Sequence, residues 1–223
     1  MYIRNKTLIC LYIASICITF FSAPSTAIPR FDPALQWRTI ASEHFIAHFY
    51  QGEEHLARKI INISESIHSN YVSYFNWRPA KQVHIIINDT TDEANGSATF
   101  YPINQMNIIV TPPDGNYGLD SFPRGWLEVL IKHEYTHIMQ LDKASGIPYY
   151  WRNFFGRLLL LFPSAGLPTW LIEGLATFKE TSSKTGRGQN NAYKMLMRLE
   201  VSKGIRSFNQ LNQPIISWPR GTT

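Results

Sequence analysis

Polar and apolar positions change period twice along this 223-residue chain. From Gly52 the residues Leu56, Ile60, Ile63, Ile67, Tyr71 and Tyr74 recur every three or four positions, which puts them on one face of an α-helix closed by Pro79. The flanks read differently. His44–Tyr50 is short and aromatic and Val83–Asn88 is a dense β-branched run, so both predict strands. Further short strands are expected at Ala98–Tyr101 and Met106–Thr111, with a turn at Pro112-Pro113-Asp114-Gly115. From Gly125 the helical period returns through Trp126, Leu127, Leu130, Ile131, Ile138 and Leu141, and Gly146 and Pro148 predict its end. A second helix is expected from about Trp170, after Pro168 and Thr169, and a third over Asn190–Lys203 before Gly204. Ile28–Ala41 reads as an entry segment with Pro29 and Pro33. Strands first and helices later predict an α+β fold: a small N-terminal mixed sheet with helices, then a central helix, then a mainly helical C-terminal part.

The first 27 residues follow another pattern. Arg4 and Lys6 precede the 14-residue apolar run Leu8–Phe21, broken only by Ser15 and Thr19, and small residues lead to Ala27. That is the layout of a secretory signal cleaved after Ala27. The run falls short of the about 20 residues of a spanning helix, which argues against the alternative of an uncleaved anchor. Export to a periplasmic or extracellular location is the expectation. Both cysteines, Cys10 and Cys17, lie inside this segment, so residues 28–223 offer no disulfide, thiol nucleophile or cysteine metal ligand. Beyond it, 19 basic residues face 16 acidic ones without a basic cluster, which gives no case for a nucleic-acid partner.

The chemistry concentrates at His133-Glu134-Tyr135-Thr136-His137, in the middle of the predicted central helix. Residues i and i+4 share a helix face, so two imidazoles at this spacing can reach one ion. Glu134 stands where a general base could take a proton from water activated by that ion. A catalytic zinc wants a third protein ligand and an open position. Glu173 is the best candidate, a lone acid among Trp170, Leu171, Ile172 and Leu175 that needs a positive partner. Gly174 and Ala176 are small enough for close helix packing. His44, His48, His55, His68 and His84 read as structural or surface histidines, since i,i+4 spacing in a strand is too extended to chelate.

HExxH followed by W-L-x-E-G-x-A resembles the gluzincins, zinc peptidases whose third ligand is a Glu on a second helix. More specifically the chain is similar to the peptidase MA-like group, some members of which carry a TolB-type β-propeller after this domain. The resemblance extends over Trp37, His44-Phe45, Asn95-Gly96, Pro102, Pro112-Pro113, Phe155-Gly156, Leu167-Pro168, Gly186-Arg187 and Met195–Arg198. It implies a zincin-like fold over residues 28–223, one Zn²⁺ held by His133, His137 and Glu173, and Glu134 as the group that activates water. Two departures stand out. Lys143–Pro168 lengthens the gap between His137 and Glu173, and Thr177 stands where some gluzincins place an acid, so His133 or His137 needs another orienting partner such as Glu180 or a backbone carbonyl. The chain ends soon after Trp218-Pro219-Arg220-Gly221, where the resemblance implies more sequence, so a domain truncated at its C-terminal end is expected.

These readings predict an exported zinc metallopeptidase acting on a peptide or protein substrate. The alternative is a peptidase-like scaffold of the cell envelope that cleaves nothing. Tyr193, Arg187 and Tyr149 are candidates for a further oxyanion donor. Either Ala98–Tyr101 or Met106–Thr111 could be an edge strand that pairs with an extended peptide, and plain sheet structure explains both equally. Tyr149–Phe162 is very apolar for an insert. Core or domain-interface packing is its default reading, with a substrate cleft, a membrane surface or an adjoining β-propeller as the others.

Overall fold

A five-stranded mixed sheet carries the molecule, and its face is decided by simple alternation. The computed structural model describes residues 34–89, 95–111, 125–181, 186–204 and 207. All contacts below lie within the unit that begins at Gln36. The strands are β1 (Trp37–Ala41), β2 (Phe45–Tyr50), β3 (Val83–Asn88), β4 (Gly96–Thr99) and β5 (Gln105–Ile109), in the order β1-β2-β3-β5-β4. The inner pairs β2/β3 and β3/β5 are parallel and the outer pairs β1/β2 and β4/β5 antiparallel. Phe45, Ala47 and Phe49 on β2, Val83, Ile85 and Ile87 on β3, and Met106 and Ile108 on β5 are all buried, one residue in two. The five described α-helices are α1 (Glu54–Phe75), α2 (Trp126–Asp142), α3 (Gly146–Phe155), α4 (Thr169–Glu180) and α5 (Asn191–Lys203). The α+β expectation therefore stands. The expected signal at residues 1–27, the turn at Pro112–Gly115 and the stretch around Trp218–Gly221 lie outside the described residues.

The helix α1 follows its periodicity. Ala57, Ile60, Ile61, Ile67, Tyr71 and Phe75 are buried, and Asn76 ends the helix with a left-handed φ of 45°. Tyr74 leaves the stripe: it is exposed and lies under the Lys179 ammonium, 3.8 Å from the ring centre.

α2 is buried on nearly every side, against the sheet and α1 on one flank and α4 on the other. Tyr135 fixes its rotation. This buried ring meets Phe45 at 5.2 Å and Tyr71 at 5.3 Å, and its hydroxyl pairs with His68 Nδ1 at 2.7 Å. Because Tyr135 is two residues from both His133 and His137, anchoring it against α1 and β2 turns those imidazoles the other way, toward α4.

Three expectations need correction. The expected entry segment Ile28–Ala41 contains a strand, Trp37–Ala41; mostly exposed, it lacks an apolar signal and is held by backbone pairing with β2. The strand expected at Ala98–Tyr101 begins two residues earlier, at Gly96, and that expected at Met106–Thr111 is Gln105–Ile109. α2 already ends at Asp142, where Lys143 turns extended, and Gly146 and Pro148 instead open α3, because a proline in a first turn removes an N–H that has no helical acceptor.

His68 is buried with Nε2 unpartnered, and burial, then the neighbouring His44, lower its pKa from 6.5 to about 4. Between those values the unfolded chain binds a proton that the native state refuses, so stability falls as pH drops from about 6.5 toward 4. Urea unfolding across that window is expected to show the loss, and His68→Gln to flatten it.

Candidate metal centre

Helix geometry alone brings His133 and His137 onto one face of α2, and the packing of α4 supplies the third group. Their Nε2 atoms lie 3.1 Å apart. Glu173 Oε2 is 3.3 Å from His133 Nε2, and Glu173 Oε1 is 3.7 Å from His137 Nε2. Among the described residues this is the one set of three His, Cys, Asp or Glu side chains whose ligand atoms lie within 4.8 Å of one another. A tetrahedral ion with bonds of 2.0–2.2 Å sets its ligand atoms roughly 3.3–3.5 Å apart. The three observed separations bracket that spacing, so the residues fit a zinc-sized divalent ion. The two rings stand at 87° to each other, which lets their nitrogen lone pairs converge.

Glu180 orients the first histidine. Its carboxylate is fully buried and accepts from His133 Nδ1 at 2.8 Å. Arg187 closes the other side, donating to Glu180 Oε1 through Nε (2.7 Å) and its backbone N–H (3.1 Å), and to Oε2 through Nη2 (2.9 Å). The guanidinium Nη2 also sits 2.7 Å from His133 Nδ1, but both are donors, so the Nδ1 proton belongs to Glu180. With Nδ1 spent on Glu180, Nε2 is the nitrogen a metal ion would take, in place of the proton it shares with Glu173. Burial raises the Glu180 pKa, but the Arg187 and His133 hydrogen bonds outweigh it and keep the carboxylate ionised. Burial likewise lowers the His133 pKa, and hydrogen bonds to Glu173 and Glu180 override it, to about 9.

Gly186 is what lets Arg187 arrive. Its φ is 95°, and a Cβ there would stand 2.7 Å from the Glu180 carbonyl oxygen and run into Thr181 Cα. Among the described residues His137 has no comparable support: its Nδ1 is buried without a hydrogen-bond partner.

Glu134 is buried next to His133 and, among the described residues, makes no hydrogen bond. Desolvation raises its pKa to about 7, opposed by the nearby His133. The edge strand β4 presses on it. A Cβ at Gly96 would stand 2.8 Å from Glu134 Oε1 and 2.9 Å from both Glu134 Cγ and Leu130 Cδ1. Sequence reasoning did not single out that contact; the Asn95-Gly96 pair was its only trace.

Arg187 joins the centre through Glu180, with its guanidinium already committed there. Tyr193 lies at the start of α5, and its electrostatic influence reaches Arg187. Tyr149 lies on α3, where its ring meets Trp77 edge-on at 6.2 Å. The insert that carries it folds as a helix of its own, which sets Tyr149 against Trp77, just past the end of α1. Core packing, the default for Tyr149–Phe162, is corrected: Leu161 and Phe162 are buried, and most of the rest stands in solvent. Comparison with family models, with curated proteins and with solved structures finds no match to this chain.

Losing an orienting carboxylate of this kind typically costs 10–100-fold in metal affinity. Glu180→Ala is expected to weaken Zn²⁺ binding by about that factor. Gly186→Ala, which displaces Arg187, should weaken it less. Competition with a chromogenic chelator measures both.

Proposed function

We propose that this chain is an exported zinc metallopeptidase of the zincin-like, gluzincin type, similar to the peptidase MA-like group. One observation carries the reading: two imidazoles from α2 and a carboxylate from α4 converge at tetrahedral spacing with a buried, uncompensated Glu134 at their side. A structural zinc site closes its shell with four protein ligands, whereas three leave a position for water and substrate. A bound Zn²⁺ supplies Lewis acidity to the scissile carbonyl and makes a nearby water more acidic.

The chain's own residues do the rest. Glu134 accepts the proton of the attacking water and hands it to the leaving amine. Glu180 and Arg187 hold His133 in the ligand tautomer. β4 is an outer strand of the sheet and runs past Glu134 at Gly96, and among the described residues no further strand pairs with it, so its outer edge suits an extended peptide laid antiparallel or parallel to it. Burial of Glu134 among Leu130, β4 and the ligands excludes bulk water from the base.

Glu134→Gln separates this reading from a silent scaffold. The variant is expected to keep one Zn²⁺ per chain and to lose hydrolysis of a peptide library by at least about 100-fold, the usual scale for a general base. A wild type that binds zinc and turns over no peptide would favour the scaffold. Glu173→Ala should lose the zinc itself. Gly96→Ala is expected to keep the metal while kcat/KM falls roughly 10- to 100-fold, because it displaces the carboxylate of Glu134.

A further inference from the structure

On the Tyr135 side of α2, the turn into β2, one face of α1 and the segment leading into β3 enclose a cavity of about 280 Å³, room for a small group only. Glu43, His44, His68, Arg78, Lys81 and Gln82 line it. The wall is pinned by backbone. Val83 N–H donates to the His44 carbonyl at 2.9 Å and Gln82 Nε2 to the Ser42 carbonyl at 2.6 Å. Glu65 accepts from the His44 backbone N–H at 2.9 Å and from its Nδ1 at 2.8 Å.

His68 is 3% exposed, and its Nε2 has no hydrogen-bond partner. Tyr135 decides which nitrogen carries the proton. If Nδ1–H donated to the phenol oxygen, the phenolic hydrogen and the Nε2 lone pair would both go unmet. If the phenol donates to Nδ1, only an Nε2–H is left over, so this is the tautomer the 2.7 Å contact favours. Tyr135 lies in the core, so the Nε2 edge is the one turned to the cavity. The His44 ring stacks on His68 at 3.7 Å. With its Nδ1 proton given to Glu65, the neutral His44 ring offers Nε2 as an acceptor, buried without a hydrogen-bond partner and 3.5 Å from the Glu43 carboxylate. Arg78 and Lys81 are exposed and, among the described residues, make no hydrogen bond or ion pair.

We propose that this cavity binds hydrogenphosphate, either free or as a singly protonated phosphate monoester. Arg78 and Lys81 meet its charge, the His68 Nε2–H donates to one oxygen, and the P–OH turns to the Glu43 carboxylate and His44 Nε2. The mixture of donors and acceptors selects the ligand. Sulfate and carboxylates bring acceptors alone, so they would leave His44 Nε2 unmet and set their charge against Glu43 with no proton between. A metal ion fits worse. His68 presents a proton rather than a lone pair, the two rings lie 21° from parallel and so do not converge, and these side chains form no ligand set within 4.8 Å among the described residues. The inference does not rest on the metal reading.

The test is calorimetric titration of the full chain near neutral pH with inorganic phosphate, with phenyl phosphate as the monoester and with sulfate as the oxyanion that carries no proton. Saturable phosphate binding at least about tenfold tighter than that of sulfate is expected, the scale of one charged hydrogen bond. Arg78→Ala with Lys81→Ala should weaken phosphate by at least about the same factor while zinc content stays at the wild-type level, because both side chains are exposed and unpaired among the described residues. Glu43→Gln should lose most of the preference for phosphate over sulfate. Tighter binding of phenyl phosphate assigns the cavity to a carried phosphate and tighter binding of inorganic phosphate to the free ion, and either supports the proposal. Phosphate binding that survives the double variant unchanged would overturn it, since the anion would then sit elsewhere, the metal centre included. So would equal affinity for sulfate in the wild type, or no saturable phosphate binding at all.

Discussion

The structure depends on how three carboxylates are kept out of water. Glu134, Asp142 and Glu180 are all buried, two on α2 and one at the end of α4. A buried carboxylate is costly unless cations and donors surround it. Asp142 has Arg152, Arg157 and the Trp77 indole N–H; Glu180 has Arg187 three times over and His133. Glu134 has neither, and its charge is balanced only at a distance by His133 and Arg187. Two of the three are structural clamps at opposite ends of the α2 ligand face. The third is left uncompensated, and that asymmetry is what the proposed role of Glu134 as a base rests on.

The clamps also explain why α2 tolerates so little freedom. Tyr135 fixes its rotation through α1 and β2, and Glu180 fixes the His133 ring through α4. Asp142 ties its last turn to α3 and, through Arg157, to the chain between β4 and β5. β4 is thus held from two directions, by the sheet ladder with β5 and by Arg157. It meets Glu134 at the one residue whose lack of a side chain permits contact.

Legibility in the sequence followed the range of the interaction. α1, β2, β3 and α2 announce themselves because their period is local, and the His133/His137 pair is readable because i,i+4 is a fixed distance on any helix. Glu173 was readable as an acid with no polar neighbours, and Glu180 as an available partner about two turns beyond it. What stayed hidden depends on residues far apart in the chain. Gly96 matters only because α2 comes up against β4, and Gly186 only because Arg187 must fold back onto Glu180. β1 carries no apolar alternation, so nothing but its ladder with β2 marks it.

The apolar insert is the sharpest case, since hydrophobicity alone reads it backwards. Periodicity reports that Tyr149–Phe162 has an apolar side, but not which way that side faces. The direction is set by Asp142, a buried charge that must draw Arg152 and Arg157 inward. Once both guanidinia turn toward the protein, the aromatic and leucine side chains on the same short segment have nowhere to go but out. An electrostatic need at the end of the metal-motif helix thereby builds an apolar platform on the surface, and joins it rigidly to the helix that carries His133 and His137.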